Sequence, residues 1–445
     1  MENNRIQILK EILLDLHQGA SPESVQERFN QHFKGVSALE ISMMEHELMS
    51  SEDGVTFEDV MSLCNVHANL FKGAIADVEV ADADQEGHPV YVFKQENLAL
   101  RSAILRIIEN ISKPENEDFK SDLLNGLKHQ MSLLGQFHNH YTRKEKLFFP
   151  IMERYGHDSP PKVMWGVDDD IRKLFRDAEA KLQELPKGDL EEFSKSFEAF
   201  SEEFEAMIFK EEAILLMILL ETFTQDDWLS IAEESDAYGY AIIKPTAVWK
   251  PKRERLEEDN TETSQEQSGL STAAQTCKTR IIDTPEGQFT ISFTPKPKTE
   301  TVVDRETAQP FGNGYLSVEQ ANLILNHLPL EITFVNKDDI FQYYNVNVPA
   351  NEMVFKRTPS QIGRNVELCH PPKVLDKVNK IFELLRSGER DQVPMWFKSE
   401  RLGKFVYVTY AAVRDDKGDF QGVLEYVQDI QPFFELESDL KRDID

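Results

Sequence analysis

Four long stretches of helical periodicity between residues 86 and 243 constrain this chain more than any other feature of its sequence. They cover about residues 87–112, 117–154, 161–184 and 189–222. A shorter helical stretch, DDWLSIAEESDAYG, follows them. Because each apolar stripe must be covered by another helix, long helices with short connections predict an antiparallel four-helix bundle.

Polar side chains fall on the apolar face of each of these helices. With ~100° between successive residues, the inward positions are Asn97 in the first helix, His140 and Lys144 in the second, Asp168 in the third and Glu211 in the fourth. A buried charge without a partner is costly, so such groups pair with one another or hold a metal ion. Inward carboxylates and histidines on facing helices also build iron and manganese sites.

Composition excludes several classes of function. The formal net charge of −30 argues against a surface for nucleic acid or anionic lipid, since phosphate groups need clustered Lys and Arg. Three widely separated cysteines predict no disulfide framework, and no apolar run approaches the ~18 residues of a membrane span. We therefore expect a cytoplasmic protein. Without a nucleophile–base pair, a phosphate loop or a zinc-type cysteine cluster, the sequence favours a regulatory protein over an enzyme.

The regions on either side of these helices differ from them in composition and in hydrophobic periodicity. Residues 1 to about 75 read as short helices, and the polar stretch NTETSQEQSGLSTAAQT indicates a linker, followed by a candidate hairpin in TRIIDTPEGQFTISFTP. After Leu316 the period changes toward two, and the order is two strands, short helical pieces with one long helix, then three strands. That order predicts an α+β module.

Several segments resemble known families. The second helix, with His140 and LFFP, together with PPKVMWGVDDDIRKLF and FEAMIFKEEAILLMILLETFT, is similar to the hemerythrin-like (HHE cation-binding) family. ALEISMMEHELMSSEDGVTFEDVMSLCNVHANLF resembles the DUF438 module that commonly precedes it. LPLEITFVNKDDIFQYYN, GRNVELCHPPKVLDKV and YAAVRDDKGDFQGVLEYVQDI resemble a PAS domain.

The resemblance implies a multidomain chain with an all-α N-terminal module, a hemerythrin-like four-helix bundle and an α+β PAS domain. We expect a DUF438-like module in residues 1–76 and the bundle in 84–243. A linker with a possible hairpin then covers 244–313, and the PAS-like sensor domain 314–436.

Only some of the iron ligands of the hemerythrin-like family are present at the matching positions of this sequence. His140 matches the histidine of the second helix, but Lys144 stands where a glutamate is expected and Asp168 where a histidine is expected. Two interpretations stay open beside a third, in which these residues are wholly exposed. In one, an altered ligand set of His88, His140, Glu145, Asp168 and Glu211 holds a metal. In the other, Lys144 occupies the former metal position and pairs with Asp168 and Glu211.

Two cysteine–histidine pairs are further candidates for heme or metal ligands. Cys64 and His67 share one face of a predicted helix, and Cys369 and His370 precede another. The alternative is that Cys64 is a packed cysteine beside an ordinary histidine, and that Cys369 and His370 only orient the helix that follows.

The function implied by these resemblances is that of a sensor or regulator in which the bundle is coupled to a PAS ligand or redox sensor. The cofactor is non-heme iron, with heme as the alternative and no cofactor as a third option. The partners are a small-molecule or gas ligand, and a protein or a second copy bound through the PAS domain. Other readings are an iron protein that handles oxygen or nitrosative stress, and a metal-free structural adaptor.

Overall fold

The computed structural model describes most of the chain. The described residues are 2–17, 20–33, 35–49, 82–112, 120–185, 187–251, 278–284, 287–293 and 305–436. They belong to two compact units, one made of Met1–Pro251 with Leu328–Asp445 and the other of Lys252–His327. None of the helices in these ranges has the length and apolar composition needed to cross a membrane.

Three helices open the first unit: α1 (Glu2–His17), α2 (Pro22–Phe33) and α3 (Ala38–Met49). Pro22 stands at the first position of α2, where its missing N–H has no helical partner to lose. The helices share a small core whose buried members include Leu9, Ile12, Phe29 and Phe33.

The bundle follows in the same unit. Its elements are α4 (Pro89–Ile111), α5 (Lys120–Leu134), α6 (Phe137–Arg143), a π-helical segment (Lys144–Phe148), α7 (Phe149–Arg154), α8 (Ser159–Glu184), α9 (Leu190–Lys210), a second π-helical segment (Glu211–Leu215), α10 (Leu216–Thr222) and α11 (Gln225–Tyr238). Many of the buried side chains are aromatic, among them Phe137, Phe148, Phe193, Phe200 and Phe204. Each such side chain contributes roughly 1.5–3 kcal/mol through burial, so the bundle has a substantial apolar core of its own.

The second helical stretch differs from the single helix that its periodicity predicts. A turn at Gly135 separates α5 from α6, and a side chain at this glycine would crowd the ring of Phe175, 3.4 Å from the added carbon. Farther on, Pro150 cannot donate the helical hydrogen bond to the carbonyl of Lys146. The N–H of Phe149 instead bonds to the carbonyl of Lys144, which is the π-helical spacing.

The C-terminal part of the first unit is a five-stranded antiparallel sheet in the order β6-β5-β9-β8-β7. The strands are β5 (Glu331–Asn336), β6 (Phe341–Tyr344), β7 (Gln392–Ser399), β8 (Lys404–Arg414) and β9 (Phe420–Asp429). Between β6 and β7 lie the 3₁₀ turns Pro359–Gln361, Val366–Cys369 and Pro372–Val374 and the helix α13 (Leu375–Ser387), and the turn Gln431–Glu435 follows β9. Gly422 permits a close approach of β9 to β5, because a side chain there would meet the carbonyl oxygen of Val335.

Among its described residues, the second unit has two antiparallel hairpins and a helix. β1 (Lys278–Thr284) pairs with β2 (Gly287–Phe293), and β3 (Gln309–Phe311) pairs with β4 (Gly314–Leu316). The helix α12 (Val318–Asn326) begins with a capping box between Ser317 and Gln320. The first hairpin coincides with the sequence TRIIDTPEGQFTISFTP.

Candidate functional site

The interior of the bundle holds a lysine whose side chain is completely buried. Lys144 begins the first π-helical segment and is 0% exposed. Its ammonium nitrogen lies 2.8 Å from Oδ1 of Asp168 and 2.5 Å from Oε1 of Glu211. The ring of Tyr141 covers another side, with its centroid 4.1 Å from the nitrogen. Two carboxylates and an aromatic face therefore offset the cost of burying this charge.

His140 connects the lysine to a second group of charges. Its Nε2 lies 3.3 Å from Oε2 of Glu211, and its Nδ1 lies 2.9 Å from Oε2 of Glu96. Phe93 stacks on the imidazole ring at 3.7 Å between centroids. Burial lowers the pKa of His140, but the Glu211 and Glu96 carboxylates outweigh it and raise the pKa overall. Because both ring nitrogens face acceptors, the geometry favours the doubly protonated ring.

Glu96 and Arg143 form the part of the site that the sequence did not reveal. The Arg143 guanidinium donates to both carboxylate oxygens of Glu96, with Nη1 3.0 Å from Oε1, and also to the carbonyl of Gly239 at 2.9 Å. The N–H of Ala241 donates to Glu96 at 2.7 Å. Glu96 precedes Asn97 and follows Phe93 by three residues, so the helical stripe that identified Asn97 includes it as well.

A further ion pair lies beside Tyr141. The Arg172 guanidinium is 2.7 Å from Oε1 of Glu145 and 3.2 Å from Oδ1 of Asp169. Its charge also lies over the ring of Tyr141, 5.6 Å from the centroid. Glu145 is thus drawn toward α8 and pairs with an arginine.

We call the eight side chains Glu96, His140, Arg143, Lys144, Glu145, Asp168, Arg172 and Glu211 the ionic network. It contains four carboxylates, two guanidiniums, one ammonium and one imidazole. With all four carboxylates ionised, a protonated His140 makes the number of positive charges equal to the number of negative ones. Asp168 is the carboxylate for which burial opposes ionisation most, because burial raises its pKa although the charge of Lys144 lowers it. Burial alone raises the pKa of Glu211, but the charges of Lys144 and His140 lower it to about 2. Burial likewise raises the pKa of Glu96, and Arg143 and His140 lower it to about 2.

These residues do not fit the metal that a hemerythrin-like bundle implies. A metal held by Asp168 and Glu211 would lie within about 2.0–2.2 Å of their oxygens, in the volume that the Lys144 ammonium fills. Both nitrogens of His140 are engaged with carboxylates. Oδ2 of Asp168 has no hydrogen-bond partner in the described part of the chain, but one oxygen is not a coordination sphere. Within the described ranges, no group of three or more His, Cys, Asp or Glu side chains can hold a metal ion.

His88 is placed apart from this network. It caps the start of α4, where its Nδ1 accepts a hydrogen bond from the N–H of Val90. Its ring packs against Trp228 and Trp249, with centroids 5.1 and 4.6 Å away. Burial lowers the pKa of His88 to about 4, even though two nearby aspartates oppose the shift. The contacts of His88 are those of a capping and packing residue.

Of the two cysteine–histidine pairs, the structure describes only Cys369 and His370. Cys64 and His67 lie outside the described residues. The thiol of Cys369 is 3.5 Å from the carbonyl of Asn365, and burial raises its pKa. His370 donates from Nδ1 to the carbonyl of Val366 at 2.8 Å, and burial lowers its pKa. Both residues are tied to the turn Val366–Cys369 that precedes α13.

A cavity of about 250 Å³ lies between the five-stranded sheet, α13 and the 3₁₀ turns. Most of its wall is apolar, and the apolar side chains include Val335, Phe341, Val366, Ile381, Phe382 and Val423. Its polar side chains include Lys146, Arg357, Arg364, His370, Tyr410 and Glu425. This volume is below the ~300–1,000 Å³ of sites for drug-sized ligands, so a heme does not fit in it.

One residue of the cavity wall, Lys146, comes from the bundle. It lies in the first π-helical segment, two residues after Lys144. Its ammonium donates to the carbonyl of Cys369 at 3.3 Å and lies 4.8 Å from the centroid of the Trp165 ring. Burial, reinforced by the charge of Arg364, lowers the pKa of Lys146 to about 8. Helical periodicity cannot predict this position of Lys146, because it depends on how the sheet packs against the bundle.

The bundle and the sheet domain are joined by specific polar contacts around this lysine. Arg364 makes two hydrogen bonds of 2.6 Å to the carboxylate of Glu153, and both side chains are almost fully buried. Lys373 pairs with Asp169 at 2.7 Å. The hydroxyl of Ser360 donates to Glu234 at 2.8 Å. The cavity therefore lies directly against the bundle.

Three family models match the chain in series. Residues 9–77 match a family of unknown function (DUF438), residues 88–219 the hemerythrin HHE cation binding domain, and residues 321–431 a PAS domain. The order and the positions confirm the resemblances stated from the sequence. A search of curated proteins finds no match.

Solved structures match the C-terminal part. The C-terminal domain of a Streptococcus mutans protein is 87% identical, with a TM-score of 0.30, and the match covers 30% of this chain and all of that one. A sensory box sensor histidine kinase from Vibrio cholerae is 13% identical over 25% of this chain and 89% of that one, with a TM-score of 0.20. A PAS domain from Colwellia psychrerythraea is 13% identical over 26% of this chain and 98% of that one, with a TM-score of 0.21.

The 87% identity over the full length of the Streptococcus mutans domain is far above what a shared fold alone requires. The C-terminal part of the chain belongs to the same family as that Streptococcus mutans domain, and the chain as a whole joins segments that match DUF438, the hemerythrin HHE cation binding domain and a PAS domain in that order.

Proposed function

We propose that this protein is a cytoplasmic sensor and regulator in which occupancy of the PAS cavity is transmitted to a hemerythrin-like bundle. The bundle interior is held by the ionic network, with the ammonium of Lys144 in the place of a metal. The output is a contact with another protein or with a second copy of the chain. The observation that carries this proposal is the position of Lys146, which belongs to the bundle and lines the cavity.

The first π-helical segment supplies a physical route for the coupling. Lys146 faces the cavity, Lys144 pairs with Asp168 and Glu211, and Glu145 between them pairs with Arg172. A ligand that moves the Lys146 side chain therefore acts on a backbone turn whose neighbouring residues are fixed in the ionic network. Insertions of π-helix are common at functional sites, where they place side chains that a regular helix would turn away.

The second π-helical segment extends the route across the bundle. Glu211 begins this segment as Lys144 begins the first, and the two side chains are in direct contact at 2.5 Å. A movement of one π-helical segment therefore affects the other. If either Lys144 or Glu211 is displaced, the charge of its partner is left buried and unpaired. The strength of this coupling is the free energy by which a change at the cavity alters the equilibrium of the bundle, and the reverse effect has the same size.

A substitution that fills the cavity tests the coupling without knowledge of the ligand. Val378 lines the cavity from α13, so Val378→Phe mimics occupancy. The matched control is Lys377→Phe, which adds the same ring at an exposed position of the same helix. Hydrogen–deuterium exchange of the full chain is compared with that of the parent.

We expect Val378→Phe to change exchange in residues 144–148 and 211–215, and Lys377→Phe to leave those residues unchanged. If Val378→Phe alters exchange only in residues 328–436, the cavity and the bundle are not coupled and the proposal is wrong. The thermal midpoints of both variants are measured in parallel. A variant that is only less stable would have a lower midpoint and faster hydrogen exchange throughout the chain.

A further inference from the structure

We propose that the PAS cavity binds a small hydrophobic monocarboxylate whose carboxylate pairs with the ammonium of Lys146. This inference rests on the proposed function, since it names the ligand class of the same cavity. It assigns to a bundle residue the recognition of the ligand's charge, and to the sheet domain the recognition of its apolar body.

Three cationic side chains line the cavity: Lys146, Arg357 and Arg364. Arg364 is neutralised by its two hydrogen bonds to Glu153, and Arg357 lies 3.2 Å from a carboxylate oxygen of Glu425. Lys146 has no carboxylate within ion-pair distance among the residues that the structure describes. Its ammonium donates a hydrogen bond of 3.3 Å to the carbonyl of Cys369.

An ammonium has three donors, so Lys146 keeps donors available for a ligand. Lys146 is only partly buried, and a ligand that enters the cavity would displace the water next to its ammonium. An anionic ligand group would then supply the counter-ion that a charge removed from water needs. Trp165 covers one side of the ammonium, which leaves the cavity as the direction from which a ligand can reach it. The charge of the wall therefore selects an anion.

The remainder of the wall selects an apolar body. Side chains such as Val335, Phe341, Ile381 and Phe382 form a continuous hydrophobic lining behind the lysine. A sugar or a nucleotide would place most of its hydroxyl groups against these apolar side chains, where they lose hydrogen bonds to water without replacement. The cavity of about 250 Å³ limits the ligand to a small molecule.

The ligand is a monoanion because the other charges are already matched. With Arg364 and Arg357 paired, a second carboxylate would find no cation of its own. It would also meet the negative charge of Glu425, which lines the cavity. A short or medium-chain carboxylate, aliphatic or aromatic, satisfies both the charge and the lining.

Calorimetric titration of the full chain tests the ligand class. The probes are butanoate, hexanoate and octanoate, each compared with the primary alcohol of the same length. We expect saturable binding of at least one carboxylate, about ten-fold or more tighter than its alcohol, because a charge-assisted hydrogen bond in a desolvated site discriminates by this order.

The variants separate the charge of Lys146 from its bulk. Lys146→Met removes the ammonium with little change of volume, and we expect it to weaken carboxylate binding about ten-fold or more while alcohol binding is unchanged. Lys146→Arg keeps the charge and is expected to keep the preference for carboxylate. The control is Lys373→Met, which removes a lysine that also bridges to the bundle but does not line the cavity.

Three results would overturn the inference: no saturable binding of any carboxylate, equal affinity for acids and alcohols, or unchanged carboxylate binding in Lys146→Met. Each is distinguishable from failure of the proposed function, because the exchange experiment with Val378→Phe requires no ligand. If that experiment shows coupling and the titration shows no carboxylate binding, the ligand class is wrong and the coupling stands.

Discussion

A single residue, Lys144, decides the chemistry of the bundle interior. With a carboxylate at this position, Asp168, Glu211 and His140 would surround a region of excess negative charge that calls for a metal ion. The ammonium instead supplies a fixed positive charge at 2.8 and 2.5 Å from two of those side chains. The raised pKa of Lys144, in which Asp168 and Glu211 overcome the effect of burial, keeps this charge in place at neutral pH.

Removal of the ammonium should be strongly destabilising. Lys144→Met leaves the carboxylates of Asp168 and Glu211 buried without their cation, and we expect a loss of about 3–5 kcal/mol in the free energy of unfolding. Lys195→Met is the control, because Lys195 pairs with Glu191 on the exposed surface of α9. Urea denaturation of both variants measures the difference. Equal midpoints for the parent and Lys144→Met would show that the ion pairs contribute nothing.

The pKa of Glu211 predicts an acid-dependent loss of stability. Because this pKa is lowered from 4.5 to about 2 in the folded protein, the carboxylate stabilises the fold fully above pH 4.5 and progressively less as the pH falls toward 2. Between pH 5 and pH 3 its contribution falls by about 2 kcal/mol. In Glu211→Gln the decline over this range should be smaller by that amount.

Urea titrations at pH 5 and pH 3 measure this decline in the parent and in Glu211→Gln. The control is Glu192→Gln, which removes an exposed carboxylate from α9, the helix that leads into the π-helical segment of Glu211. We expect the control to keep the decline of the parent. A decline in Glu211→Gln as steep as that in the parent would contradict the assignment.

At the scale of single residues, the sequence predicts part of the ionic network. Helical projection identified Asn97, His140, Lys144, Asp168 and Glu211 as inward residues, and all five are 0% exposed. Arg143 lies outside the stripe by projection, yet its long side chain reaches Glu96 inside the bundle. Projection treats a side chain as a point on the helix surface, so it misses residues whose charged end lies far from the backbone.

At the scale of elements, the two π-helical segments position the site. Each begins at a member of the central ion pair, Lys144 or Glu211. The helical periodicity predicts the positions of the long helices because the apolar stripe repeats over several turns. It does not predict a π-helical turn, since one additional residue per turn changes the pattern too little to be recognised.

The segment 359–370, which includes two 3₁₀ turns and Arg364 between them, connects the cavity to α7. Arg364→Met removes both hydrogen bonds to Glu153 and leaves a carboxylate that is largely buried without its cation. We expect a loss of about 3 kcal/mol in the free energy of unfolding and faster hydrogen exchange in residues 359–370. Arg390→Met, at an exposed position after α13, serves as the control. Unchanged exchange in residues 359–370 would show that the pair does not hold this turn.

At the scale of the molecule, the chain places a PAS domain directly against a helical bundle. The order of the segments follows from the sequence, because each segment has its own periodicity and its own motifs. The packing of the sheet domain on the bundle does not, since it depends on a few contacts such as those of Arg364, Lys373 and Lys146 with residues more than a hundred positions away. These contacts give the cavity its bundle-derived wall, and with it the proposed route for a signal.

Side-chain charges, with the ammonium of Lys144 between Asp168 and Glu211, take the place of a metal in the bundle. The metal content of the full chain, purified from cells supplied with iron and measured by mass spectrometry, tests this replacement most directly. Lys144→Glu is the companion variant, because it replaces the ammonium with the carboxylate that the hemerythrin-like family has at this position.

We expect the parent to carry no stoichiometric iron and Lys144→Glu to gain it, since the substitution removes the internal cation and adds an oxygen ligand. One or two iron ions bound per parent chain, retained through dialysis against a chelator, would contradict the account.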